Sequence, residues 1–256
     1  CDLADLAREL DGLPVFEGCV HSCCEEEGLD DAVRFVEWGR ELLGGRIYVS
    51  FGVHPEKFET YTPELEARME AAIERCGQQG VAWGECGLDY YKAEWDIQKD
   101  PTLKGRMYDV FARQARLAVR RGLPLVVHSR DAEQDTLEVL RKHVPKEHPV
   151  YLHSYMGSTE KMVEFLDGWK CGYVGMAGCI TYPTAGHLLD IASAIPLERL
   201  LLETDGPYMA PEPHRGEESH PGHIPWIAEG VARAKGLDTA LVLAAAHGNF
   251  RRFYNL

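Results

Sequence analysis

The sequence has no apolar run near the ~18 residues that a membrane-crossing helix needs, which argues against a membrane protein. Basic residues are scarce: 27 Lys and Arg stand against 41 Asp and Glu, a formal net charge of −14. Binding to nucleic acid through counterion release alone is therefore excluded, because such a protein is basic. The eight cysteines form no CxxC pair and no scaffold spacing, so a zinc ribbon is excluded. A disulfide framework is not expected, and reduced thiols in a cytoplasmic or nuclear compartment are. The opening CDLADLAREL is acidic and amphipathic, unlike a secretory signal. Repeats, low-complexity tracts and linkers are missing too, so residues 1–256 read as a single domain of ordinary globular composition.

What is present is an alternation of short apolar runs with longer amphipathic ones. The runs at 14–20, 46–53, 81–85, 125–128, 150–153, 172–176 and 200–203 are continuous and rich in Val, Ile, Leu and aromatics, as in strands buried on both faces. Helical patterns fill 30–43, 63–76, 103–121, 131–144, 158–168, 184–195, 224–235 and 239–254. Such alternation calls for a parallel α/β sheet, either doubly wound or closed as a (β/α)8 TIM barrel, and ~250 residues favours the barrel. Seven strand runs rather than eight lead to the expectation that the first strand lies upstream of Cys1, a residue that is not an initiator Met, and that the intact product is longer.

Five apolar runs deliver a carboxylate or an imidazole at or just beyond their carboxyl ends: His54 in FGVHP, Glu85 in GECGLDY, His128 in VVHSRDA, His153 in VYLHSYMG and Asp205 in LLETDGPY. Strand ends that converge on one mouth are the layout of a barrel active site. Any one of these residues could be a cap. Buried imidazoles and carboxylates are costly unless paired or bound to metal, and their coincidence at five strand ends points to a metal site. The ligand types suit one or two divalent cations, Mg, Mn or Zn, with Glu85 able to bridge two of them.

In these motifs the sequence resembles the TatD family of metal-dependent deoxyribonucleases, within the amidohydrolase-like TIM barrel hydrolases. The resemblance rests on GVHP (52–55), GECGLDY (84–90), LPLVVHSRDA (123–132), LHSYMG (152–157), ETDGPY (203–208) and AHGNFRRFY (246–254), in order over essentially the whole chain. It is closest to the eukaryotic branch, through IPLERLLLETDGPY and the His220 of the following H-P-G. The resemblance implies that Glu85, His128, His153 and Asp205 hold metal. It also implies a nuclease that hydrolyses DNA, with RNA as an alternative, acting 3′ to 5′ on single strands as a monomer in DNA repair or degradation. Glu85, Asp205 and His54 are then the catalytic group, the last donating to a phosphate or to the leaving oxygen. The family's D-x-H-x-H motif is missing, and residues 1–6 align just after it with Asp2 in place of its second His.

Asp89 and Glu203 are expected to orient ligands or Arg130, which could reach a phosphate or pair with Glu203. Tyr90, Tyr91 and Tyr155 could stack on bases or simply pack. His220, with His214 and His223 in the loop 211–225, is placed for substrate contact or at the surface. Arg113, Arg116 and Arg120 read as a solvated helix face, His21 as a strand-end residue without a family counterpart, and Cys86 as a buried thiol. Two other functions compete: a small-molecule amidohydrolase or lactonase, which the acidic surface favours, and an impaired barrel that serves as a binding scaffold. Against the former, no Lys ends a strand where a carboxylated lysine would bridge metals.

Overall fold

The computed structural model describes residues 16–91 and 100–256. Seven strands form one parallel sheet in strict chain order: β1 (Cys19–Cys23), β2 (Ile47–Phe51), β3 (Gly80–Asp89), β4 (Leu125–Arg130), β5 (Val150–Leu152), β6 (Gly172–Met176) and β7 (Leu200–Leu202). Helices α1 (Leu29–Leu42), α2 (Pro63–Cys76), α3 (Pro101–Arg121), α4 (Glu133–His143), α5 (Thr159–Gly168) and α6 (Gly186–Ala194) make the crossovers. Helices α7 (Ile224–Lys235) and α8 (Thr239–Tyr254) follow β7. An order that never reverses is barrel winding and excludes the doubly wound alternative, which has a switch point. The fold is thus of the expected α/β TIM-barrel class, a curled sheet with β1 and β7 as its edges among the described residues. The anticipated upstream strand, and Asp2 with it, lies outside those residues.

β1 corrects the sequence expectation of a strand over 14–20. It pairs with β2 from Cys19↔Ile47 to Cys23↔Phe51, carrying the polar His21 and Ser22. Pairing sets its ends, and apolarity does not: Ser22 Oγ lies 3.2 Å from Ser50 Oγ across the two strands. The first two residues of the expected run, 14 and 15, lie outside the described residues.

Alternation along the strands sorts side chains into two cores. Leu125, Val127, Val150, Leu152, Val174 and Leu200 pack against the helices with Trp83, Phe111, Phe165 and Trp169. Val126, Tyr151, Tyr173 and Leu201 form the inner cluster, which Phe253 and Tyr254 of α8 fill. Asn249 anchors that helix, donating to the carbonyls of Leu197 at 2.8 Å and Leu200 at 2.7 Å. The inner face has a direct consequence. Two residues beyond Val126, Tyr151 and Leu201 come His128, His153 and Glu203, so period-2 geometry aims these three into the same mouth.

Candidate metal centre

Glu85 reaches the mouth by a local irregularity. The β3–β4 register jumps between Trp83↔Leu125 and Cys86↔Val127, so Gly84 and Glu85 together oppose Val126, and such a bulge re-aims a side chain. Glycine is required on both sides of it. A Cβ at Gly84 would strike the Val126 carbonyl and one at Gly87 the His128 carbonyl, which explains why GECGLDY is spelled with glycines. Gly175 plays a similar part in β6, where any side chain would displace the Glu203 carboxylate and the Tyr151 hydroxyl.

Around Glu85 the expected residues converge. Its Oε1 lies 2.8 Å from His153 Nε2, 3.1 Å from His128 Nδ1 and 3.8 Å from His54 Nε2. Asp205 Oδ1 is 4.0 Å from His153 Nε2. Asp89 Oδ2 sits 3.0 Å from His128 Nε2, and Glu203 Oε2 sits 2.9 Å from His153 Nδ1. Each of these two imidazoles therefore has a carboxylate on both nitrogens. Glu203 Oε1 also accepts the Ser154 amide. Donor atoms of His54, Glu85 and His128 all fall within 4.8 Å of one another, tight enough to hold a cation with small side-chain movements.

The electrostatics follow from this packing. Burial pushes Glu85 up, but the imidazoles of His153 and His128 outweigh it and hold the carboxyl well below its usual range. Burial likewise opposes charge on His128 and His153, yet the hydrogen-bonded carboxylates win and raise both. Burial raises Asp205, with His153 only partly offsetting it. In His54, burial and the neighbouring His128 bring the imidazole down to about 4. The carboxylates thus favour protons on His128 and His153, and a divalent cation would compete with protons for the same lone pairs.

His54 caps a 3-10 turn. Its Nδ1 accepts from the Glu56 amide at 3.2 Å, which leaves the proton on Nε2, facing His128 Nδ1 at 3.3 Å. Its loop is fastened by the buried Gln114 of α3. The Gln114 amide oxygen accepts from Val53 N at 2.9 Å and from the Trp83 indole at 3.1 Å, and its nitrogen donates to the Val53 carbonyl at 3.1 Å.

Other expected residues stand differently. Arg130 makes no ion pair with Glu203; its guanidinium lies over the Tyr91 ring at 3.6 Å from the centroid. Tyr155 is buried, with its hydroxyl on the Ser158 carbonyl, so its ring offers no face to a base. Tyr90 donates to Asp135 at 2.8 Å. His220 caps a 3-10 turn by accepting the Gly222 amide and packs its ring 4.0 Å from that of His223. His21 lies edge-on to Phe35 of α1, and Arg113 pairs with Glu66 at 2.7 Å. Cys86 is fully buried, its thiol pushed up by burial. Sequence reading gives Cys24, with Cys23, only as a buried thiol and misses its place beside Glu85, where its Sγ lies 3.8 Å from Oε2. The signal was available, because Cys24 directly follows β1 just as His153 directly follows β5.

Comparison with known proteins agrees with this picture. The family described as "TatD related DNase" matches residues 15–255. The chain is 35% identical over 222 residues to YcfH of Escherichia coli K12, an uncharacterized metal-dependent hydrolase, covering 85% of this chain and 78% of that one. It is 32% identical over 245 residues to the human 3′-5′ RNA nuclease TATDN2, covering 94% of this chain but only 30% of the human protein's length. Among solved structures, the TatD homologue YJJV of Escherichia coli K12 shares the fold with a TM-score of 0.83 at 24% identity, over 99% of this chain and 93% of that one. A TatD family hydrolase from Entamoeba histolytica gives 0.79 at 21% identity, over 97% and 87%.

Proposed function

The chain belongs to the TatD-related DNase family of metal-dependent hydrolases, and on that footing we propose that it cleaves phosphodiester bonds of single-stranded nucleic acid from the 3′ end. Its cofactor is a divalent metal cation. The observation that carries the reading is the Glu85 carboxylate at the centre of three imidazoles, with Asp205 on the rim. This mixed nitrogen and oxygen set fits such an ion, held by Glu85, His128, His153 and Asp205. The chemistry that a divalent cation supplies in such a place is Lewis acidity toward a phosphoryl oxygen and activation of water near neutral pH.

The chain's own groups divide the remaining work. Asp89 and Glu203 hold the His128 and His153 rings in position through the nitrogens that face them. His54 serves better as a donor than as a ligand. Its Nδ1 lone pair is taken by the Glu56 amide, so its Nε2–H faces His128 and Glu85 in the mouth, where it would be donated to a phosphate or leaving oxygen. Burial keeps that imidazole neutral at pH 7, so it donates a hydrogen bond and does not deliver a full proton. Asp205, raised by burial, is the group placed to take a proton at the rim. The compartment in this reading is cytoplasm or nucleus, from eight cysteines that show no scaffold spacing. No helix among the described residues is long and apolar enough to cross a membrane. A monomer is the working unit in this reading.

The test uses metal-stripped protein with end-labelled single-stranded DNA and RNA, alongside simple ester and amide substrates, and restores Mg²⁺, Mn²⁺ or Zn²⁺. The proposal predicts laddering from the 3′ end that returns with metal and disappears in Glu85→Gln. The DNA and RNA arms decide the polymer. Turnover of the small substrates alone would replace the reading with an amidohydrolase. Inactivity on every substrate with metal bound would leave only the scaffold function.

A further inference from the structure

A second cluster of imidazoles lies in the loop between β7 and α7, outside the group around Glu85. We propose that His214, Glu217 and His223 form an additional cation site for a transition-metal ion of the Zn²⁺ type, tying this loop to the start of α7. One donor atom from each residue lies within 4.8 Å of the other two. Zinc bonds of about 2.0–2.1 Å place tetrahedral donors about 3.4 Å apart, so side-chain rotations of roughly 1 Å complete the site.

Two orphaned atoms point the same way. His223 is only 2% exposed, and its Nδ1 is buried without a hydrogen-bond partner among the described residues. His214 Nε2 is buried and unpartnered as well. An unpaired buried polar atom costs about 1–3 kcal/mol. The two rings stack 4.6 Å apart and 20° from parallel, and the buried His223 nitrogen at the helix start is costly unless something engages it. No described side chain does so. The Trp226 ring closes one side, edge-on to His214 at 4.6 Å and to His223 at 5.8 Å. Glu217 Oε2 lies 3.1 Å from His214 Nδ1, so this carboxylate and that nitrogen are the pair placed to share one ion with His223.

The donor chemistry selects the ion. Two imidazoles and one carboxylate favour Zn²⁺ and its first-row neighbours over Mg²⁺ or Ca²⁺, which take oxygen ligands. The role is one of position. His214 and Glu217 sit in the turn after Pro213, and His223 is the N-cap of α7. A shared ion cross-links the segment that follows Asp205, and so steadies one wall of the mouth.

The test silences the mouth first. In a metal-stripped Glu85→Gln, His153→Asn background, Zn²⁺ is titrated by calorimetry and Co²⁺ by its visible absorption, with the melting temperature followed in parallel. The expected result is one ion per chain, a rise in melting temperature, and an affinity at least tenfold weaker when Glu217→Gln or His223→Asn is added. Glu217 is exposed, so its variant reports even if the buried His223→Asn chain does not fold. Failure of the background to bind Zn²⁺, or unchanged affinity in Glu217→Gln, would overturn the site. Neither readout depends on nuclease activity.

Discussion

Histidines 128 and 153 are gripped from both sides, by Glu85 on one nitrogen and by Asp89 or Glu203 on the other. An imidazole held this way has its ring orientation and basicity fixed before any ion arrives. Asp89→Asn and Glu203→Gln should therefore each weaken divalent-metal affinity by about 10–100-fold although neither need touch the ion, as calorimetric titration with Mn²⁺ would show. Equal affinity in variant and parent would make both carboxylates mere packing. His54 makes a contrasting prediction. As a donor to a charged oxygen its removal in His54→Phe should lower kcat by about 10²–10³ and leave metal affinity unchanged. A matching loss of metal affinity would identify it as a ligand instead. Cys24 shows what sequence reading overlooks at this scale. Its proximity to Glu85 comes from β1 running on to Cys23, whereas apolarity alone ended that strand too early.

Among the elements, α2 and α3 do more than cover the sheet. Gln114→Leu strips partners from both Val53 backbone groups and the Trp83 indole, so it should cost about 3 kcal/mol in urea denaturation and loosen the loop that carries His54. A loss below about 0.5 kcal/mol would show that the loop holds itself. The same two helices are joined by Glu66, which accepts from Arg113 Nε at 2.7 Å and from the Tyr61 hydroxyl at 2.5 Å. Burial pushes Glu66 up, but these two bonds outweigh it and leave the carboxyl below its usual value. A depressed folded pKa contributes stability that is present above the unfolded value of about 4.3 and lost as pH falls through the folded one. Glu66→Gln should therefore cost about 1–3 kcal/mol at pH 7. The gap from the parent should narrow as pH drops below 4, read from urea midpoints, and a pH-independent gap would contradict the linkage.

Legibility in the sequence followed the source of each element's order. Helices α2, α7 and α8 begin and end where their patterns predict, because Thr62, the Pro225 of the first turn and Asp238 are local start signals. Strand β5 ends at Leu152, directly before His153, β7 ends at Leu202, three residues before Asp205, and β3 continues four residues beyond Glu85 to Asp89, because neighbour pairing and a bulge decide there. The convergence of Glu85, His128, His153 and Asp205 could be read from strand ends alone. The burial of Tyr155 and the stacking of His214 on His223 could not, since both depend on partners distant in the chain or folded back within a loop.

For the molecule as a whole, the charge balance is the central constraint. A chain of net charge −14 carries four carboxylates, Glu85, Asp89, Glu203 and Asp205, in the mouth that the proposed phosphodiester substrate would enter. Bound cations reverse the local sign, so ion and substrate belong to one electrostatic argument. The most direct measurement is an anomalous difference map from crystals of this protein soaked in Mn²⁺. A peak within about 2.0–2.5 Å of Glu85 oxygens and His128 or His153 nitrogens, absent in Glu85→Gln, is the predicted result. A map with no density in this mouth, from crystals that bind Mn²⁺ elsewhere, would contradict the account.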